Sequence, residues 1–251
     1  MNVFQAIVLG SVQGIAEWLP ISSEAMVTLV GKYLLNLKFN EALSGAIWLH
    51  LGTFFSALFY FRRDIIKLFK EDLNLLKSLI VATTLTGIIG LPLMFLIFNF
   101  SIPDAVFTIF IGIFLVTIAI LNKNKRGGTV KEFNLKKASV VGAVQGLAIL
   151  PGFSRSGLTI STLLAEKFSL KEAFKISFLM SLPATFGVQL FLPLIHSSFQ
   201  VSLSLIIGAF VSFLVGIISI KKLMDFAKSS NFFKATLALG IITFLFGLLM
   251  I

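Results

Sequence analysis

The chain carries one pattern twice, as GSVQGIAEWLPISS at residues 10–23 and as GAVQGLAILPGFSRS at residues 142–156. After one deletion, both copies share Gly, Gln, Gly, Ala and Pro in the same order. Each copy runs from an apolar stretch through a proline into serines that can cap a following helix. The pattern predicts a helix, a break and a second helix in both places, with Gly-x-x-x-Gly spacing that lets the first helix pack closely on a neighbour.

The composition around these copies is that of a membrane protein. Hydrophobic residues make up 57% of the 251 and charged residues 13%, whereas soluble domains have about 45–50% and about 25%. A helix that crosses a bilayer needs about 20 mostly apolar residues. Six stretches meet this need, near 41–61, 77–99, 103–122, 172–195, 201–221 and 232–251. We therefore predict an all-α integral membrane protein with about six transmembrane helices in a single membrane domain.

The basic residues predict how these spans are oriented. They concentrate in the loops 62–77, 122–137 and 221–234, while 99–102 and 196–200 contain no Lys or Arg. The positive-inside rule places the first three loops in the cytoplasm and the other two outside. The net charge of +10 then belongs to loops that orient a membrane protein, and no nucleic-acid partner is expected.

This orientation constrains both copies of the pattern. The stretch 138–166 must enter and leave the membrane on one side, and the segment 1–35 must either turn back or cross once. Three spans, an odd number, separate the copies, so we predict an inverted-topology repeat with two re-entrant helix hairpins. Repeat one covers about 1–122 and repeat two about 138–251. Helix N-termini at such breaks favour anions, phosphates above all.

The second break carries an arginine among hydroxyls. Arg155 offers a planar fork of donors that can bind phosphate oxygens in pairs. Ser154, Ser156 and Thr159 add hydroxyl groups, and Arg155 and Thr159 lie four residues apart on one helical face. We assign all four to a phosphate site. The alternative is a structural arginine bound to backbone carbonyls at a helix break.

The first break carries a carboxylate and two serines. Gln13 and Glu17 are four residues apart, so one helix face brings both to the break. Glu17 could be a general base, a partner for Arg155, or a ligand for Mg²⁺ or Ca²⁺, which prefer oxygen ligands. The structural alternative is an ion pair that holds the two repeats together. Ordinary capping accounts for one of Ser22 and Ser23, and a serine that faces Glu17 would be a nucleophile. We assign Gln13 and Ser22 to substrate binding.

Three further polar residues remain open at this point. Glu24 either compensates a helix dipole or belongs to the site. His50, in WLHLGT, is either a hydrogen-bonded interior histidine or a proton carrier. His196 falls in a predicted external loop and is expected to face solvent. The chain contains no cysteine, which excludes disulfides, thiolate metal sites and cysteine nucleophiles.

The quoted motifs resemble those of the undecaprenyl-diphosphate phosphatase family, the membrane phosphatases of bacitracin resistance. The similarity rests on EWLPISS at 17–23, LHLGTFFSALFYFRRDI at 49–65 and PGFSRSGLTIS at 151–161, and it runs nearly end to end. It implies hydrolysis of a polyprenyl diphosphate lipid to the monophosphate carrier lipid and inorganic phosphate, with a divalent cation as cofactor, in the cell membrane. Carried over, Glu17 is a motif glutamate, Ser23 the nucleophile and Arg155 the phosphate-binding arginine.

Two positions depart from the family pattern. Gln13 stands where the family's first glutamate is expected, and Met26 stands where a histidine is expected after the serines. An amide weakens metal binding and cannot be a base, and methionine carries no proton. A transporter of polyprenyl-phosphate carrier lipid, without phosphatase activity, is therefore the alternative function. The oligomeric state is open, with a homodimer among the possibilities.

Overall fold

The computed structural model describes residues 1–96, 104–121, 128, 130, 132–149, 154–195, 202–229 and 232–251. Within these ranges the structure is helical, apart from turns and one isolated bridge between Val130 and Phe168. The α-helices are α1 (Val3–Ala16), α2 (Ser23–Leu29), α3 (Phe39–Tyr60), α4 (Arg62–Lys70), α5 (Leu73–Leu96), α6 (Asp104–Leu121), α7 (Leu135–Gly146), α8 (Arg155–Ala165), α9 (Leu170–Ile195), α10 (Leu203–Ser229) and α11 (Phe232–Leu249). The predicted all-α class is confirmed.

Each predicted span falls on one of the long helices, namely α3, α5, α6, α9, α10 and α11. Among the described residues, three stretches are long and apolar enough to cross a membrane: Glu41–Tyr60, Leu73–Leu93 and Leu203–Lys228. Shorter apolar stretches lie in α6 and α11, at Thr108–Thr117 and Phe233–Leu249. Together with large exposed apolar side chains such as Phe110 and Phe210, these helices show a membrane protein.

The stretch 62–77 is not the loop that its charges suggested. It forms α4 and the first turn of α5, with Asp72 capping α5 by accepting a hydrogen bond from the Leu75 N–H at 3.0 Å. The helix has a buried and an exposed face, with Leu68 buried and Lys67 and Lys70 exposed. The many charges made this pattern hard to recognise in the sequence. An amphipathic helix of this kind suits the membrane interface.

The chain divides into two compact units, and each unit combines segments that are distant in sequence. The first unit contains Met1–Leu19, Ser23–Arg62 and Ser181–Leu223. The second contains Pro20–Ser22, Arg63–Met180 and Met224–Ile251. Each unit therefore takes helices from both predicted repeats.

In the first unit, α1 and α3 pack on α10 through small residues. A Cβ at Gly14 would lie 2.9 Å from the Gly216 nitrogen and 2.9 Å from the Ser212 carbonyl oxygen, so only glycine permits this approach. The Ser212 hydroxyl donates to the Leu49 carbonyl at 3.1 Å. The predicted close packing of the first Gly-x-x-x-Gly copy is confirmed, and α10 is the partner.

In the second unit, α7 packs on α5 in the same manner. A Cβ at Gly142 would lie 2.6 Å from the Ala82 Cα. Thr86 donates to the Gly142 carbonyl at 3.0 Å and accepts a hydrogen bond from the Gln145 amide at 3.0 Å. In both units, therefore, the first helix of one pattern copy packs on a long helix from the other half of the chain.

The direction in which the two copies enter the membrane stays a prediction, with both termini outside. The loops 99–102 and 196–200 and the basic residues at 123–126 lie outside the described residues. Single cysteines placed in this cysteine-free chain would test it with an impermeant thiol reagent on intact cells. We expect labelling of Ser101→Cys and none of Gly127→Cys; the reverse result would contradict the orientation.

Candidate active site

The first pattern copy breaks between α1 and α2, as predicted. Glu17 caps the C-terminus of α1, and its N–H donates to the Gln13 carbonyl at 3.1 Å. The chain then turns through Pro20, and α2 begins at Ser23. Because residues four apart share a helix face, the side chains of Gln13 and Glu17 emerge together beside the break.

A buried hydrogen-bond network forms around the Glu17 carboxylate. The Gln13 amide nitrogen donates to Glu17 Oε2 at 2.8 Å, and the Ser23 hydroxyl donates to the same oxygen at 2.7 Å. Glu17 is 5% exposed and Ser23 8%. The Ser23 hydroxyl thus meets the carboxylate directly, which is the arrangement that activates a serine nucleophile.

His50 adds a third functional group to this network. Its Nε2 lies 3.2 Å from Glu17 Oε2 and 3.5 Å from Ser23 Oγ. Its Nδ1 lies 2.8 Å from the Ala46 carbonyl oxygen, one turn earlier on α3. Spacing along the chain could not reveal this contact, because 27 residues separate Ser23 from His50. We call this group the first cluster; its members are Gln13, Glu17, Ser23 and His50.

The second pattern copy also breaks, and α8 begins at Arg155 with Ser154 as its N-cap. The Ser154 hydroxyl accepts a hydrogen bond from the Gly157 N–H at 3.0 Å and donates to the Ile21 carbonyl at 2.9 Å. The predicted capping role is therefore confirmed for Ser154. Residues 150–153 lie outside the described residues.

The remaining predicted residues of α8 lie around Arg155. Ser156 is buried with its Oγ 3.2 Å from Ser154 Oγ. Thr159 is also buried and donates to the Arg155 carbonyl at 2.9 Å. The half-buried Arg155 directs Nη1 to the Ser177 carbonyl at 3.4 Å.

Ser177, on α9, is a residue that the sequence analysis missed. Its hydroxyl lies 2.5 Å from that of Thr159, and its side chain is fully buried. In the sequence, Ser177 is only marked by a second serine, Ser181, four residues later in the same apolar stretch. The structure shows that both serines are buried. The second cluster consists of Ser154, Arg155, Ser156, Thr159 and Ser177, all in the second unit.

Ser22 and Glu24 flank the nucleophile candidate differently. Ser22 is buried and belongs to the second unit with Ile21, the residue whose carbonyl Ser154 binds. Glu24 is exposed in the first turn of α2, where the helix dipole stabilises a carboxylate. Met26 is half-buried three residues after Ser23 on the same helix.

The two pattern copies differ in how they use their glutamine. Gln13 donates to the Glu17 carboxylate, whereas Gln145 donates to the Thr86 hydroxyl. The second copy has no acid at the position of Glu17 and directs its glutamine into helix packing. The carboxylate chemistry of the pattern therefore belongs to the first copy.

The residues around Glu17 do not fit a cation held by the protein alone. Mg²⁺ takes about six oxygen ligands and Ca²⁺ about six to eight. Glu17 Oε2 already accepts bonds from an amide nitrogen and a hydroxyl, and an imidazole nitrogen faces it. Gln13 Oε1 has no partner among the described residues and would supply one neutral oxygen. The described part of the chain contains no group of three or more acidic or histidine side chains arranged for a metal.

These features define a class, a helical membrane protein that holds a buried serine–carboxylate pair and an arginine at a helix N-terminus. The chain belongs to the bacitracin resistance protein BacA family, whose model matches residues 6–249. The resemblance noted in the sequence is confirmed.

Relatives of nearly equal length accompany this match. An undecaprenyl-diphosphatase of Methanococcoides burtonii is 36% identical over 261 residues, covering 98% of both chains. The undecaprenyl-diphosphatase of Saccharolobus solfataricus is 36% identical and covers 97% of this chain and 95% of its own. That of Sulfurisphaera tokodaii is 35% identical, with 96% and 95% covered.

Proposed function

We propose that this chain is a multi-pass phosphatase of the cell membrane that hydrolyses a long-chain polyprenyl diphosphate. The products are the monophosphate carrier lipid and inorganic phosphate. The observation that carries the proposal is the buried hydrogen bond of 2.7 Å from the Ser23 hydroxyl to the Glu17 carboxylate. Membership of the family and the names of the relatives supply the substrate class.

The first cluster performs the covalent step. Ser23 Oγ attacks the terminal phosphorus while Glu17 Oε2 accepts the hydroxyl proton. The Oγ–P bond forms, the P–O bond of the anhydride breaks, and the polyprenyl monophosphate leaves as an anion. Water then attacks the phosphoserine, its O–P bond forms, and the P–Oγ bond breaks to release inorganic phosphate. A phosphoenzyme on Ser23 is the intermediate.

The second cluster stabilises charge on the transferred phosphoryl group. The Arg155 guanidinium and the N-terminus of α8 present positive charge, and electrostatic stabilisation of this kind dominates phosphoryl transfer. Ser154 caps the helix and Thr159 donates to the Arg155 carbonyl, so these two residues position Arg155. Ser156 and Ser22 contact phosphate oxygens when substrate binds, and Gln13 orients Glu17.

In this proposal the predicted divalent cation binds the substrate and is not held by Glu17. Because Gln13 and Ser23 contact Glu17 as hydrogen-bond donors and few oxygen ligands surround the carboxylate, we propose that Mg²⁺ or Ca²⁺ arrives bound to the diphosphate of the substrate. Mg²⁺ commonly binds proteins through few carboxylates and the phosphates of the substrate. Glu17 then acts as the base.

Phosphate release from purified protein tests the function. We expect inorganic phosphate from a long-chain polyprenyl diphosphate in detergent, and no Glu17-dependent binding of Mg²⁺ to the protein without substrate, measured by calorimetry. Lipid movement across the membrane of sealed vesicles without any phosphate release would show a lipid transporter in place of a phosphatase. Tight Mg²⁺ binding that Glu17→Gln abolishes would restore Glu17 as a ligand.

A further inference from the structure

We propose that His50 is a further catalytic residue, which holds the proton taken from Ser23 and returns it to Ser23 Oγ when the phosphoenzyme is hydrolysed. The inference rests on the proposed function and adds a general acid to it. It also explains how Met26 can stand where the family pattern expects a histidine. The imidazole comes from α3 instead of from α2.

The contact with Ala46 fixes which nitrogen of His50 does the chemistry. A carbonyl oxygen only accepts, so Nδ1, 2.8 Å away, carries a hydrogen and donates it. This bond, made within α3, holds the ring plane and leaves Nε2 for the first cluster. The partner of one ring nitrogen sets the role of the other.

Nε2 lies beside the two atoms that exchange a proton. It lies 3.2 Å from Glu17 Oε2 and 3.5 Å from Ser23 Oγ. A histidine with a purely structural role needs its two nitrogens satisfied, and with Nδ1 donating to Ala46 one donor to Nε2 would satisfy the ring. Here the second nitrogen faces both the base and the nucleophile, so a single atom reaches both.

The proton balance closes over the two half-reactions. In the first, Ser23 gives its proton to Glu17, and the proton passes to Nε2 as the Oγ–P bond forms. In the second, Glu17 takes a proton from the attacking water, while the Nε2 proton goes to Ser23 Oγ as the P–Oγ bond breaks. The water proton then leaves Glu17 with the products or to solvent. Each group ends in its starting state.

This assignment predicts which half-reaction suffers when His50 is lost. Departure of Ser23 Oγ as an unprotonated alkoxide is difficult, whereas Glu17 still activates the attack. We therefore expect His50→Gln to lower steady-state phosphate release by about 10²–10⁴-fold, the usual range for one acid–base group. Phosphorylated Ser23 should accumulate, detected by mass spectrometry after acid quench. His196→Gln, the other histidine of the chain, is the matched control and should stay within twofold of the parent.

A transplanted histidine separates catalysis from folding. Met26 lies three residues after Ser23 on α2, so the two side chains share a helix face. The double variant His50→Gln, Met26→His should release phosphate at least tenfold faster than His50→Gln alone. His50→Gln activity within twofold of the parent would overturn the inference. So would a lost activity with neither phosphorylated Ser23 nor recovery by Met26→His. A parent that releases no phosphate would instead refute the proposed function itself.

Discussion

Glu17→Gln should lower phosphate release by about 10²–10⁴-fold, because it removes the only carboxylate of the first cluster and leaves two amides beside Ser23. The variant keeps the shape of the side chain and can still contact Gln13 and Ser23. It cannot accept a proton from the serine hydroxyl, which now donates to Glu17 Oε2 at 2.7 Å. The loss should appear in kcat, with KM little changed, since the carboxylate acts on the nucleophile.

Glu24→Gln is the matched control for this experiment. Glu24 lies one residue after Ser23 but is exposed in the first turn of α2. Its replacement should leave the rate within twofold of the parent. Full phosphate release by Glu17→Gln, measured on protein that elutes as the parent does, would show that the chemistry lies elsewhere.

Arg155→Lys should lower kcat by about 10²–10³-fold, the cost of losing one group that stabilises charge in a transition state. Lysine keeps the charge and loses the planar fork that binds two phosphate oxygens at once. The Thr159 hydroxyl donates to the Arg155 carbonyl at 2.9 Å and lies 2.5 Å from the Ser177 hydroxyl, so the backbone at Arg155 should keep its position after the change.

The control for Arg155 is another arginine in the same unit. Arg63 is exposed on α4, and Arg63→Lys should leave kcat unchanged within twofold. Arg155→Lys activity within twofold of the parent would favour the structural alternative, in which the guanidinium only binds the Ser177 carbonyl. Steady-state phosphate release over a range of substrate concentrations provides both kcat and KM.

The fold was predictable where the signal is local. Apolar stretches of helical length and the proline-and-serine breaks placed the long helices and the start of α8. The pairing of Glu17 with one of two serines was also within reach, since six residues separate Glu17 from Ser23. The α4 helix was missed because a high density of charge obscured its apolar face.

Contacts between distant segments could not be predicted from one sequence. His50 reaches Ser23 from another helix, and Ser177 meets Thr159 across 18 residues. Both residues lie in apolar helices, where a single polar side chain has many possible partners. The packing of α1 on α10 is equally distant in sequence. Its glycine spacing predicted a close approach without naming the helix that makes it.

The interleaving of the two units bears on how the chain is synthesised. The first unit joins residues Met1–Leu19 and Ser23–Arg62 to Ser181–Leu223, and Gly14 of α1 packs directly on Gly216 of α10. Translation produces α1, with Gln13 and Glu17 on it, about 190 residues before α10 emerges. Glu17 can meet Ser23 and His50 as soon as α2 and α3 are made, whereas the face of α1 that carries Gly10 and Gly14 stays without its partner until α10 follows. The close packing of the first unit is therefore completed only late in synthesis.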